Sequence, residues 1–186
     1  MKNFLHDYSY SAVKMFVNQF AISLFGAMLS MATTAAKNNT LAIIVSVLAI
    51  IFYMFLLYTQ LWEVGARDRI SVDVKKKEYR PHTGLAIAVL ANIPNFLIAI
   101  IFTAFLPFAA KYEWAGGVCA VTSFFTMLLE GMYIGIISAL NKEWYIYFLI
   151  ILPALITAWV AYYLGFKNKK FTTLFDYQSP DKAKKK

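Results

Sequence analysis

The sequence predicts an all-α, polytopic integral membrane bundle with four transmembrane helices and a fifth, amphipathic or re-entrant helix; the alternative is five transmembrane helices. Three observations predict it. Of 186 residues, 60% are hydrophobic, 17% aromatic and only 15% charged, whereas about a quarter of a soluble domain is charged. The apolar residues gather into five long segments. The basic residues, which give a net charge of +8, gather into two short blocks beside those segments, as at the cytoplasmic face of a membrane protein.

The first segment, Met15 to Ala36, follows Lys2 and Lys14 and imitates a secretory signal, but its 22 residues exceed the ~7–15 of a signal core, so it is read as a retained span. Only Lys37, Asn38 and Asn39 separate it from the second, Thr40 to Trp62, so the two form an antiparallel hairpin. The third, Gly84 to Ala110, contains LANIPNF. There Pro94, which cannot donate a helical hydrogen bond, is expected to break the helix. The fourth is Trp114 to Leu140 and the fifth Trp144 to Phe166. Each is long enough as a helix to cross ~30 Å of hydrocarbon. The chain reads as one membrane domain, 1–186, with a basic loop at 63–83 and a basic tail at 167–186.

Lys and Arg counts set the orientation. With five crossings and the amino end inside, Lys2, Lys14, Lys142 and the six of the central loop give nine basic residues inside. Lys37, Lys111 and the seven of the tail give nine outside. With four crossings the tail moves inside, and the count becomes fifteen against three. Four crossings with both termini cytoplasmic, in the plasma membrane of a bacterium, is therefore the expected arrangement.

The expected non-crossing segment is the fourth, with the segment broken at Pro94 as its rival. On a helical wheel Gly116, Cys119, Ser123, Thr126, Glu130 and Tyr133 lie within about 60° of Glu130, forming a small-and-polar stripe opposite Val118, Val121, Phe125, Leu128 and Ile136. Such a helix can lie in the outer interface, and Gly116, Gly117, Gly131 and Gly135 also permit a re-entrant path. Glu130 is accordingly expected at headgroup level. A carboxylate in the middle of a crossing helix would cost about 2.5–3.5 kcal/mol and require a partner or a use.

Glu130, Asn92 and Asn95 are the candidate solute- or ion-binding residues. The structural reading of the asparagines, and of Asn18 and Gln19, is interhelical hydrogen bonding. The functional reading is a discontinuous helix that offers amides and freed backbone to a solute. Arg67, Arg69, Lys75, Lys76, Lys77 and Arg80 are candidate contacts for anionic lipid headgroups. Gly26 with Ser30, and Ala32 with Ala36, give small-xxx-small spacing that suits close internal packing or docking of another subunit. Tyr58, Trp62, Trp114, Trp144, Tyr145, Tyr147, Tyr162 and Tyr163 are read as interfacial anchors.

The lone Cys119 excludes an intrachain disulfide, and His6 and His82 make no metal-ligand pattern. No nucleophile–base set, paired carboxylates or phosphate loop is present, so no catalytic residue, cofactor or metal is expected. The expected partners are the bilayer and its anionic headgroups, with a second membrane subunit or another copy of the chain, and not nucleic acid. The leading expectation is a non-enzymatic accessory or scaffold component of a membrane complex. The alternatives are a small-solute or ion transporter or its substrate-binding subunit, and a lipid-modifying enzyme using Glu130.

Overall fold

The computed structural model describes residues 2–35, 38–76, 78–140 and 145–169; Ala36, Lys37, Lys77, Lys142, Trp144 and the tail from 170 onward lie outside the described residues. Among the described residues the regular structure is entirely helical. Three helices are long and apolar enough to cross a membrane, or five if each of two bent pairs counts as one span.

Helix α1 (Lys2–Ala35) contains no proline and only one glycine, so nothing interrupts its 34 residues. Helix α2 (Asn39–Asp73) starts where the Asn38 side chain accepts the Leu41 N–H at 3.0 Å, satisfying a donor that the first helical turn leaves free. The expected loop at 63–83 is shorter than its polarity suggested, since residues 63–73 continue α2. Polarity does not break a helix. This stretch lacks proline, and its buried Val64, Gly65 and Asp68 hold it against the last helix. Lys75, with φ of 55°, then reverses the chain.

Helices α3 (Thr83–Ala91) and α4 (Ile93–Ala109) are bent by 56° at Asn92, two residues before Pro94. This is the expected break. Helix α5 (Glu113–Leu129) is also broken, by 91°, from a 3-10 turn at Gly131–Tyr133 and α6 (Ile134–Ala139). The continuous stripe drawn through Glu130 and Tyr133 therefore does not exist as one face. Helices α7 (Ile146–Leu149) and α8 (Leu152–Phe166) follow one another along a single apolar stretch of 21 residues.

Close backbone approach fixes how these helices run. A Cβ at Gly165 would overlap the Trp62 carbonyl oxygen, and one at Gly65 would overlap the Tyr162 carbonyl oxygen. Together with a 3.3 Å contact from Thr157 Oγ1 to Met54 Sδ, these place α8 parallel to α2. Helix α1 is antiparallel to α2: Gln60 Nε2 donates to the Ser11 carbonyl at 2.7 Å, and Asn18 Nδ2 donates to Gln60 Oε1 at 3.0 Å. Asp68 Oδ2 accepts from Tyr8 at 2.6 Å and from Tyr162 at 2.9 Å. The start of α1, the end of α2 and the end of α8 thus meet at one end of the bundle.

The broken segment points the other way. Ser123 and Phe124 of α5 share a cavity wall with Ser30 and Met31 of α1, while Gly135 packs against Ala42 and Ser46 of α2. Both arms therefore lead from Glu130 toward the α1–α2 hairpin.

The core joins Met15, Tyr53, Leu57, Leu61, Ile87, Met132, Ile151 and Tyr162. Outside it, Phe25, Met28, Leu48, Phe52, Phe55, Ile100 and Trp159 are exposed, so the bundle is apolar on its outer surface as well as inside. Trp114, Tyr145 and Tyr163 are exposed, as anchors would be, whereas Tyr147 and Tyr162 are buried and act as packing and hydrogen-bonding groups instead. Gly26 of the small-xxx-small pair packs directly on the Met132 backbone.

Gly165→Ala is expected to destabilise the fold by about 1–3 kcal/mol, because the added methyl must push α2 and α8 apart. Gly117→Ala, with nothing within 4 Å of the new atom, should be neutral or stabilising by up to about 1 kcal/mol. Thermal unfolding of the two variants in detergent, side by side, checks the contrast.

Candidate functional site

The candidate site grows from the second break. α5 ends at Leu129 because its next turn is drawn sideways into contacts with α1 and α2. Ser23 Oγ of α1 accepts the Gly131 N–H, and Ser46 Oγ of α2 accepts the Gly135 N–H at 2.9 Å. Two donors thereby find partners on other helices, as buried backbone groups must. Glycine is required at both positions, since a Cβ would overlap the Ser23 carbonyl oxygen at Gly131 and the Ala42 carbonyl oxygen at Gly135.

This diversion carries Glu130 inside. Its side chain is 4% exposed, so of the two surroundings expected for the stripe, water or protein, Glu130 has protein. Gln19 Nε2 donates to Glu130 Oε1 at 2.8 Å and also lies 3.4 Å from the Leu129 carbonyl, while Tyr53 donates to Gln19 Oε1 at 3.4 Å. Gln19 is thus interhelical glue, and specifically the partner that makes burial of the carboxylate tolerable. The other carboxylate oxygen, Oε2, is buried with no hydrogen-bond partner.

Asn92 and Asn95 are also buried. Asn92 Nδ2 donates to the Ala88 carbonyl at 2.9 Å, and Asn95 Nδ2 donates to Asn92 Oδ1 at 2.9 Å. Asn92 is wholly engaged in repairing the first break. Asn95 is not, because its Oδ1 is buried without a partner. Of the three candidates, Glu130 and Asn95 come together on the wall of one small cavity of about 10 Å³, with Thr126 and Tyr147 beside them. Asn92 supports them from behind.

Glu130, Thr126 and Tyr147 also border a larger cavity of about 470 Å³. Ser30, Ser123 and Ser138 supply its hydroxyls, and Met31, Phe124, Met127, Ile134 and Ile137 its apolar wall. It opens past Met31 and Phe124, which are both exposed. Among the described residues no Lys, Arg or His lines either cavity. A buried carboxylate oxygen and an amide oxygen, both free to accept, can receive a proton donor or a cation. Among the described residues no group of three or more His, Cys, Asp or Glu is placed to hold a metal ion.

Sequence reasoning identified Glu130, Asn95, Gln19 and Thr126 but missed Ser23, Ser46, Tyr53 and Tyr147. Ser23 carried a readable signal, since it lies four residues beyond Gln19 and so on the same helical face. Tyr147 did not, because an aromatic near a span end reads first as an anchor.

The basic candidates stand apart from this site. Arg67 and Arg69 belong to the last turns of α2, where Arg69 pairs with Asp73 at 3.8 Å. Arg67, Lys75, Lys76 and Arg80 are exposed at the end of the bundle marked by Asp68. Lys77 lies outside the described residues. Comparison with protein-family models, with curated proteins and with solved structures finds no match for the chain.

A double-mutant cycle tests the core of the site. Gln19→Leu and Glu130→Leu are each expected to destabilise the protein, with a coupling of about 1–3 kcal/mol between them, the cost of leaving a buried hydrogen-bonding group unpaired. Unfolding of the four proteins in the same detergent measures it, and additive effects would show that the 2.8 Å contact contributes nothing.

Proposed function

We propose that the chain is a polytopic plasma-membrane protein that binds a small solute beside Glu130, as a transporter or the substrate-binding subunit of one. The observation that carries this is the unpartnered Glu130 oxygen, on a residue only 4% exposed, at the edge of a cavity of about 470 Å³. A carboxylate in apolar surroundings costs about 2.5–3.5 kcal/mol and marks a functional position. Solute sites of membrane transporters form where helices are broken and backbone lines a cavity, and the volume falls within the ~300–1,000 Å³ usual for small-molecule pockets. An accessory or scaffold role, or a lipid-modifying activity, draws on no comparable feature.

The proposed topology is four crossings, by α1, α2, α3–α4 and α7–α8, with α5–α6 dipping in and returning on the hairpin side. Supporting it is the convergence of both ends of the described chain with the end of α2. Arg67, Lys75, Lys76 and Arg80 mark that end as cytoplasmic by the positive-inside rule, where they face anionic headgroups. The exposed apolar faces of α1, α2 and α4 are then the surfaces offered to lipid or to a second subunit.

In a Cys119→Ala background, Lys75→Cys and Lys167→Cys should react with an impermeant thiol reagent from one side of the membrane, and Asn38→Cys and Lys111→Cys from the other. Reaction of Lys167→Cys together with Asn38→Cys would overturn the four-crossing topology. For the site, Ser30→Cys is expected to react with a small hydrophilic methanethiosulfonate within about tenfold of an exposed control, because a binding cavity is wet before its ligand arrives. An inert Ser30→Cys would mean a cavity filled with lipid tails, and the solute-binding reading would fall.

A further inference from the structure

Among the described residues, four buried side-chain polar atoms lack a hydrogen-bond partner: Asn95 Oδ1, Glu130 Oε2, Thr103 Oγ1 and the Tyr133 hydroxyl. Asn95 Oδ1 can only accept, and so can Glu130 Oε2 when the carboxyl group is ionised; their residues border the same small cavity. Each is on a residue 4% exposed, where an unpaired polar group costs about 1–3 kcal/mol. With Glu130 ionised, neither of these two groups offers the other a proton. They need something that donates.

A third acceptor lies with them. Thr126 Oγ1 spends its proton on the Thr122 carbonyl at 3.0 Å, so its lone pairs remain available. The small cavity, about 10 Å³, holds one water-sized group. Three acceptors around one such volume match the three N–H donors of a primary ammonium, which has no acceptor of its own. Glu130 supplies the opposing charge through the oxygen that Gln19 leaves free. An anionic solute would add acceptors to acceptors, and among the described residues no Lys, Arg or His stands on either wall to receive it.

The larger cavity defines the rest of the ligand. Glu130, Thr126 and Tyr147 border both cavities, so the two adjoin at these residues, and a ligand that spans them would seat one group in the small cavity and its body in the large one. Met31, Phe124, Met127, Ile134 and Ile137 make that body apolar.

Resting on the solute-binding reading above, we propose that the two cavities form one site for a primary organic amine, its ammonium among Glu130, Asn95 and Thr126 and its apolar or aromatic body against Phe124 and Met127. The same acceptors would also take a bare monovalent cation, and the test separates the two.

The full-length protein in lipid nanodiscs is titrated calorimetrically with phenethylammonium chloride, with its neutral counterpart phenethyl alcohol, with the N-trimethylated ammonium, which has no N–H, and with sodium chloride. The primary amine is expected to bind saturably. The alcohol and the trimethylated analogue should each bind at least about tenfold more weakly, a loss of about 1.4 kcal/mol. Glu130→Gln and Asn95→Ala should each weaken the amine by at least about tenfold, and Thr126→Val, which keeps the side-chain shape, by less. Should Glu130→Gln fail to fold, Asn95→Ala carries the same comparison. Equal binding of amine and alcohol, binding of sodium but not of the amine, binding unaffected by both substitutions, or no binding at all would each overturn the amine assignment. Reactivity of Ser30→Cys is read independently, so a wet cavity that ignores amines rejects this inference alone, and a dry one rejects the solute site with it.

Discussion

Once α5 stops at Leu129, its freed backbone donors and the Glu130 carboxylate must all find partners within the protein, because the helices around them present almost nothing else that is polar. Ser23, Ser46 and Gln19 supply those partners from α1 and α2. Leaving any one of these groups unpaired in a buried setting costs about 1–3 kcal/mol. The break is therefore a built joint, and its glycines are the places where two backbones come too close for a side chain.

The same constraint organises the opposite end. Asp68, the acidic residue buried on α2, gathers hydroxyls from Tyr8 of α1 and Tyr162 of α8. Asn18 and Gln60 repeat the pattern one level inward. These polar residues join one helix to another, so polarity sets register where apolar packing alone would let the helices slide. Gly65 and Gly165 then lock α2 parallel to α8. That parallel arrangement brings the start of α1 and the end of α8 together and leaves the α5–α6 segment to fill the far end.

The cavity is where this satisfaction stops. Gln19 occupies one Glu130 oxygen, Asn92 occupies the Asn95 amide nitrogen, and the remaining oxygen of each is left over. The Tyr133 hydroxyl at the joint is also without a partner, but Glu130 and Asn95 are the two such residues that border one cavity.

Composition and the length of apolar runs were enough to predict an all-helical chain with five long apolar segments, because helix formation and burial of apolar stretches depend on residues close in sequence. The break near Pro94 was legible for the same reason, since the missing N–H is a local property. The glycines at 131 and 135 hinted that the fourth segment could turn. Tertiary structure alone decided that Glu130 is buried, that Asn95 joins it while Asn92 only braces the bend, that residues 63–73 remain helical, and that Tyr147 and Tyr162 face inward. The physical reason is distance along the chain: the hydrogen bond from Gln19 to Glu130 spans 111 residues, and no local periodicity records which of several polar residues will meet once the helices have packed.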